Sequence, residues 1–348
     1  MLAVSRRALS SFFLSALASL ACHGAAAADP VADFYKGKTV NFIVGFAPGG
    51  GYDLYARTLA QHMGKHIPGS PSVVVQNMTG AGSVRAANHV YVNAAKDGTV
   101  IAAVNQNMPM YQLLGGKSAQ FDAAKLAWLG GMGGSNGLLY TWHTSRTKTI
   151  EDAKKNEVLL GGTGTNSDSH IFPTLINNLL KTRFKVINGY SGGSKEVHLA
   201  LERGEVEGRG GNAWASLKSS NQKWLDEKKI TLLVQIGLEA EPELPNVPLL
   251  LDLVTSPTDK QIVSLVSLPT YVGYAHWVSP EVPADRIAAL RKAYAATLKD
   301  PAFLADAKKL DMMIKPQTGE ELTAVVQRVA NTPKDIIQQA ARVLEWTE

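Results

Sequence analysis

Few side chains in this chain are spaced for bond-making chemistry. Ser135 sits in GGSNG (Gly133–Gly137), the spacing of a nucleophile elbow. An elbow needs a strand before the serine and a helix after it, and here the strand-like run LLYTWHT (Leu138–Thr144) follows. A serine hydrolase using Ser135 is therefore the alternative reading, and a connecting segment is the main one. His62 and His66 are four apart on a helical stretch, but Met-Gly-Lys between them lacks the glutamate of a zinc protease. GGKS (Gly115–Ser118) fails as a phosphate loop because Tyr111 stands where the first glycine would be. GTGTNS (Gly162–Ser167) ends in serine where a dinucleotide fingerprint ends in glycine. No acid pair, metal-ligand cluster or nucleophile–base set stands out, so the expectation is a non-enzyme with no cofactor and no metal.

What recurs instead is a glycine-rich turn opening a helix. APGGGYD (Ala47–Asp53) is the first, TGAGS (Thr79–Ser83) the second, GGTGTNSDS (Gly161–Ser169) the third and YSGGS (Tyr190–Ser194) the fourth. A helix N-terminus presents unpaired N–H groups and partial positive charge, and glycine lets an oxyanion approach the backbone. These loops are suited to hold a carboxylate without chemistry. Asp53 reads as a helix-start residue rather than a general base. His170 and His198 fall at or near helix starts and read as structural histidines that could also touch a ligand.

The elements that would position these loops form two cycles. KTVNFIVGF (Lys38–Phe46), SVVVQN (Ser72–Asn77) and GTVIAAVNQ (Gly98–Gln106) read as strands. Helices over Tyr52–Ile67 and within Thr79–Ala94 alternate with them, which implies a mainly parallel sheet. A second cycle starts near Leu138. It holds a short helix capped by Thr149, a strand and helix through EVLLGGTGTNSDSHIFPTLINNLL, another strand–loop–helix–strand, and ITLLVQIG (Ile230–Gly237). LEAEPELPNVPLLLDLV reads as irregular, Thr270–Pro283 as a strand and turn, and two helices close the chain. Ligands bind open α/β sheets at the carboxyl ends of strands, where the glycine loops fall.

The ends and composition place the protein. Arg6 and Arg7, the apolar run Ala8–Ala21 and small residues at Ala25–Ala28 read as a secretory signal peptide cleaved near Ala28. Cys22, the only cysteine, lies in that leader, with Ser19 where a lipoprotein signal usually carries leucine. A mature chain of about 320 residues without cysteine leaves no disulfide or thiol chemistry. The formal charge of +5 falls to about +3 without the leader's arginines, and the basic residues are scattered, which argues against nucleic acid. The expected division is a leader at 1–28, a first lobe at 29–140, a second at 141–268 and a return to the first at 269–348.

Taken together, Pro48-Gly49-Gly50-Gly51-Tyr52-Asp53, Val73–Val75 with Asn77, Gly80-Ala81-Gly82, and Lys96-Asp97-Gly98 resemble the tripartite tricarboxylate transporter receptors, the Bug-type solute-binding proteins. The second-lobe GGTGTNSDSH and GYSGGSKEVHLALERGEVEG are similar to that family's glycine-serine and tyrosine-glycine loops. The resemblance implies a periplasmic-binding-protein type II fold, with two α/β lobes joined by two crossing strands. It implies a periplasmic, monomeric receptor that closes on a small carboxylate and delivers it to membrane permease subunits; presentation to a sensor kinase is a second role of the same kind. It also implies that the ligand is held by backbone amides, hydroxyls and waters with little use of arginine. Carried over by motif, the site comprises Gly49–Asp53, Gly82, Ser83, Thr163, Thr165, Asn166, Ser167, Tyr190 and Ser191; Pro48, Asn105, Gln106, Gly164, Ser169, His170, Asn212 and Trp214 complete the expected set. The chain departs from the family at Tyr52, at NQNMPMYQ (Asn105–Gln112) and at Trp214. The ligand is expected to be a di- or tricarboxylate or an acid with an apolar or aromatic body; for the latter Tyr52, Tyr190 and Trp214 would line the pocket, with Trp214 as second-lobe core the alternative.

Overall fold

The computed structural model describes residues 29–346. The expected leader, with Cys22 and Ala28, lies outside the described residues. Eleven strands among them form two sheets. The first holds β1 (Thr39–Val44), β2 (Ser72–Asn77), β3 (Val100–Ala103), β4 (Ala127–Gly131), β10 (Ala275–Val278) and β11 (Gln317–Thr318), in the order β11-β4-β10-β3-β1-β2. The second holds β5 (Gly137–Trp142), β6 (Val158–Gly162), β7 (Phe184–Asn188), β8 (Gly208–Ala213) and β9 (Ile230–Ile236), in the order β7-β6-β8-β5-β9. These two sheets with their helices are the two α/β lobes expected of the type II periplasmic-binding-protein fold.

Both sheets are mixed rather than mainly parallel. β1 pairs in parallel with β2 and β3, but β10 runs antiparallel to β3 and β4. β5 likewise runs antiparallel to β8 and β9. The reversals fall where the chain leaves one lobe or returns to it, so they follow from the crossing and not from the βα units.

Side-chain alternation along the strands fills the cores. Val40, Phe42 and Val44 of β1 pack with Tyr55, Leu59 and Met63 of the helix Gly51–Met63, while Ile43 faces the opposite layer. In the second lobe Leu138, Tyr140 and Trp142 of β5 pack on Trp214, Leu217 and Trp224, and Leu139 faces Phe172 and Leu175.

The crossing is made by 132–136 on the way out and by 237–274 on the way back. Met132 N–H donates to Tyr274 O (3.1 Å) and Asn136 Nδ2 donates to Gln235 Oε1 (2.8 Å). GGSNG is thus a tightly packed hinge segment. The boundaries expected at 140 and 268 fall inside β5 and inside a helix, Pro257–Val272. That helix, with Pro301–Lys309 and Lys334–Val343, has no counterpart in the sequence reading, and Thr270–Val272, expected in a strand, end the first of them. Lys334–Val343 packs on Pro257–Val272 and on the second-lobe helix Asp168–Leu180, where Asn178 Nδ2 donates to Val343 O (2.7 Å). No helix among the described residues is long and apolar enough to cross a membrane.

Candidate functional site: a cavity between the lobes

Four helix N-termini converge on the gap between the sheets: Gly51–Met63 from the first lobe, and Asp168–Leu180, Ser194–Glu202 and Trp214–Asp226 from the second. None of the four N-cap residues, Gly50, Ser167, Gly193 and Ala213, makes a side-chain cap bond. First-turn N–H groups of the first three keep capacity for an acceptor, while Trp214 N–H and Ala215 N–H of the fourth are taken by Asn136 O and Ser135 Oγ; the dipoles add positive potential. They enclose a cavity of about 50 Å³. A hollow of about 120 Å³ adjoins it, walled by the backbones of 79–82, 163–164, 189 and 193, and shares Phe46 and Thr163 with it.

Arg209 of β8 forms one wall and is 4% exposed. Its Nη1 donates to His198 Nε2 (2.9 Å) and its Nη2 to Ser194 Oγ (2.8 Å), and its buried Nε has no partner. Burial drives the His198 pKa well below its usual value, with the Arg209 charge acting in the same direction, so the imidazole is a neutral acceptor. A buried guanidinium whose partners are neutral is an uncompensated charge, costly unless an anion joins it. The fit around it is close: a Cβ on Gly208, Gly210 or Gly211 would lie within 2.4 Å of a neighbouring atom. The sequence reading missed Arg209 and expected little use of arginine. The available signal was the one basic residue in the otherwise uncharged strand GRGGNA.

Asp168 stands on the same cavity wall and ties the lobes together. It accepts from Gln106 Nε2 (3.1 Å) and from Asn107 Nδ2, both of the first lobe. Burial pushes its carboxyl up to about 7, against the opposing effect of these donors and Arg209. The folded state then holds a proton that the unfolded chain has released near its ordinary pKa of about 3.9. The resulting stabilisation is full below that pH and is lost as pH rises through 7. The melting temperature of ligand-free protein should therefore fall, relative to Asp168→Asn, between about pH 4 and 7; parallel curves would show that the carboxyl titrates normally.

Of the expected site residues, Gly50, Gly51, Tyr52, Asn105, Gln106, Thr163, Ser167, Ser169 and Asn212 line the cavity, and Gly82, Gly164 and Ser191 line the adjoining hollow. Tyr52 is not a mouth residue. It stacks on Phe46 (4.8 Å between centroids), meets Tyr274 edge-on, and accepts from Gln106 N–H (3.1 Å). Phe46 and Tyr274 belong to the same aromatic wall and went unread, as did Ser194, Ser216 and Asp168.

Other expected residues serve the scaffold. Asp53 is buried; although burial raises its pKa, bonds from Arg57, Gly49 N–H and Asn77 outweigh it and hold the carboxyl below the usual range. It thereby pins the Pro48–Gly49 turn to the end of β2, and neither Pro48 nor Gly49 lines the cavity. Ser83 Oγ donates to Gly45 O (3.1 Å) behind the loop. Thr165 is exposed, and Asn166 is buried against Gly82 across the gap. His170 takes the Asn188 amide on Nδ1 (2.9 Å), away from the cavity. Tyr190 packs against the second-lobe core and over Gly161. Trp214 is core: its indole N–H donates to Glu243 (2.9 Å) and it belongs to the buried cluster that holds Leu138, Leu217 and Trp224. Of the expected trio of Tyr52, Tyr190 and Trp214, only Tyr52 lines this cavity, together with Phe46 and Tyr274.

Ser135 Oγ accepts from Ala215 N–H (2.9 Å), with no histidine among its described partners. His62 and His66 bond separate carboxylates, Asp306 (3.0 Å) and Asp300 (2.7 Å), pinning the first helix to Pro301–Lys309.

No family model matches the chain. Over 229 residues it is 28% identical to the UPF0065 protein in the gbd 5′ region of Cupriavidus necator, spanning 64% of this chain and 66% of that one, just under two thirds of its length. The periplasmic binding protein BugD superposes with a TM-score of 0.71 at 21% identity, over 89% of this chain and 98% of its own. MatC from Rhodopseudomonas palustris, solved with bound malate, gives 0.66 at 22% identity, over 88% and 99%. The structural neighbours of this chain are Bug- and TctC-type periplasmic binding proteins, and it has their fold.

Proposed function

We propose that this protein is a periplasmic solute receptor that captures a small organic carboxylate by closing its lobes and hands it to the membrane subunits of a tripartite permease. The observation that carries the reading is Arg209, a buried guanidinium with an unpartnered Nε, on the wall of a cavity ringed by four helix N-termini. Each of these features is completed by one carboxylate. Closure would proceed as a hinge at 132–136 and 237–274, with the contacts of Gly51–Met63 to Trp214–Asp226 and of Lys334–Val343 to Asp168–Leu180 adjusting as the lobes move. MatC was solved with malate, which supports an acid as the ligand class. The cavity and its adjoining hollow, about 50 and 120 Å³, bound the size of acid that the lobes can hold.

The test is mass spectrometry of small molecules released by denaturing the purified protein, followed by thermal shift with the acid found. A saturating acid at 100 Kd should add about 2.7 kcal/mol of stability. Release of a nucleotide, or turnover of esters that disappears in Ser135→Ala, would overturn the reading. Uptake of the same acid, lost when either the receptor or the permease is deleted, separates delivery from presentation to a sensor kinase.

A further inference from the structure

Asp168 is the one carboxylate on the cavity wall among the described residues, and it faces the same space as Arg209. Beyond tying the lobes through Gln106 and Asn107, it sets negative charge where a simple acid's own must go. The pairing instead supplies opposite charges at two points of one small chamber. Gln106 and Asn107 supply the donors to the Asp168 oxygens, one each, which leaves acceptor capacity on both. Arg209 lines the same wall and brings its guanidinium charge there for a carboxylate.

Resting on the reading of the site as a carboxylate receptor, we infer that the ligand is a compact α-amino acid, its carboxylate on Arg209 and the helix N-termini and its ammonium on Asp168. The charges then cancel pairwise: guanidinium with carboxylate, ammonium with carboxylate. A dicarboxylate would leave its second anionic group against Asp168, and could be held only with that residue protonated. A monocarboxylate without an amine would leave Asp168 desolvated and unpaired by any cation. The volume is in keeping with a short side chain. At roughly 10–15 Å³ for each water-sized occupant, about 50 Å³ takes a handful of heavy-atom groups. Phe46, Tyr52 and Tyr274 supply an apolar wall for the side chain.

The experiment is calorimetric titration of the wild type with glycine, L-alanine and L-serine beside their amine-free counterparts acetate, propionate and lactate, and beside malonate and malate. The amino acids should bind at least tenfold tighter than the matched acids. Asp168→Asn should lose tenfold or more for the amino acids while propionate and lactate hold or improve. Asp168→Ser is the second variant, and the wild-type ratio of alanine to propionate reads the same interaction without any substitution. Propionate, lactate or malate binding as tightly as the amino acids, or amino-acid affinity unchanged in both variants, would overturn the inference while leaving the carboxylate receptor standing. Failure of every acid in the panel to bind would remove both.

Discussion

Arg209→Met is expected to abolish acid binding while leaving the ligand-free protein as stable as the wild type, or more so. Two opposed costs meet at this residue. With a ligand bound, the guanidinium and a carboxylate form a desolvated, hydrogen-bonded pair, and removing one partner of such a pair typically costs about 2–5 kcal/mol. A loss of about 3 kcal/mol is roughly a hundredfold in Kd. Without a ligand, the same guanidinium is 4% exposed and bonded to the neutral His198, Ser194 and Tyr140 side chains, with Nε unpartnered. Replacing a poorly compensated buried charge by an apolar side chain of similar length is often neutral or stabilising. The two measurements are Kd by calorimetry and midpoint by urea denaturation, both on ligand-free protein confirmed by mass spectrometry. A variant that binds with wild-type affinity would show that Arg209 is a structural group and that the helix N-termini suffice. A variant that loses binding and several kcal/mol of stability together would assign it to the scaffold.

Gly134→Ala should cost about 3 kcal/mol or more of folding stability. A Cβ built there lies 1.7 Å from Thr270 O and 2.7 Å from both the Thr270 carbonyl carbon and Tyr271 O. All three are backbone atoms, so no side chain can turn aside. The partner position behaves alike: Gly273 has φ +57° and a Cβ on it would lie 2.1 Å from Gly133 O. Here the outgoing and returning segments touch backbone to backbone, a narrow contact about which the proposed closure would turn. Gly115→Ala is the control. Gly115 has φ +86° but nothing within 4 Å, so only the backbone conformation resists, at about 1 kcal/mol. Equal midpoints for Gly134→Ala and Gly115→Ala in denaturant would mean that the crossing segments are not packed in this way.

The contrast between those two glycines shows what reading the chain could and could not reach. GGSNG was legible as a connection, because a strand follows the serine where a helix was needed. That it is the tight crossing of two segments depends on Thr270–Gly273, more than 130 residues later. The glycine loops were legible for a local reason: a strand, then glycines, then an amphipathic run is a βα turn wherever it lies. Thus β1, β2 and the helices after the loops fall where periodicity set them. The helix Pro257–Val272 was not legible. Its apolar residues run nearly all round, since it is covered by Lys334–Val343 and Gly319–Ala330, and a helix buried on several sides has no polar stripe to reveal its period.

The sequence by itself determined the class of the molecule: α/β cycles, glycine-rich helix entries suited to an anion, and no legible catalytic set. Those features are properties of neighbours along the chain, and helix dipoles and glycine torsions act over a few residues. Only the tertiary structure decided which side chains meet the cavity. It turned Trp214 into the core and Asp53 into a brace, and it brought Phe46, Tyr52 and Tyr274 onto one wall. Above all it placed Arg209 of β8 and Asp168 of the preceding loop-to-helix junction on one small space with Gln106 of the other lobe. The reason is that burial is collective. An arginine between glycines reads as a surface residue until the surrounding elements remove its water, and its charge acquires a function only once the rest of the fold has left it without a partner.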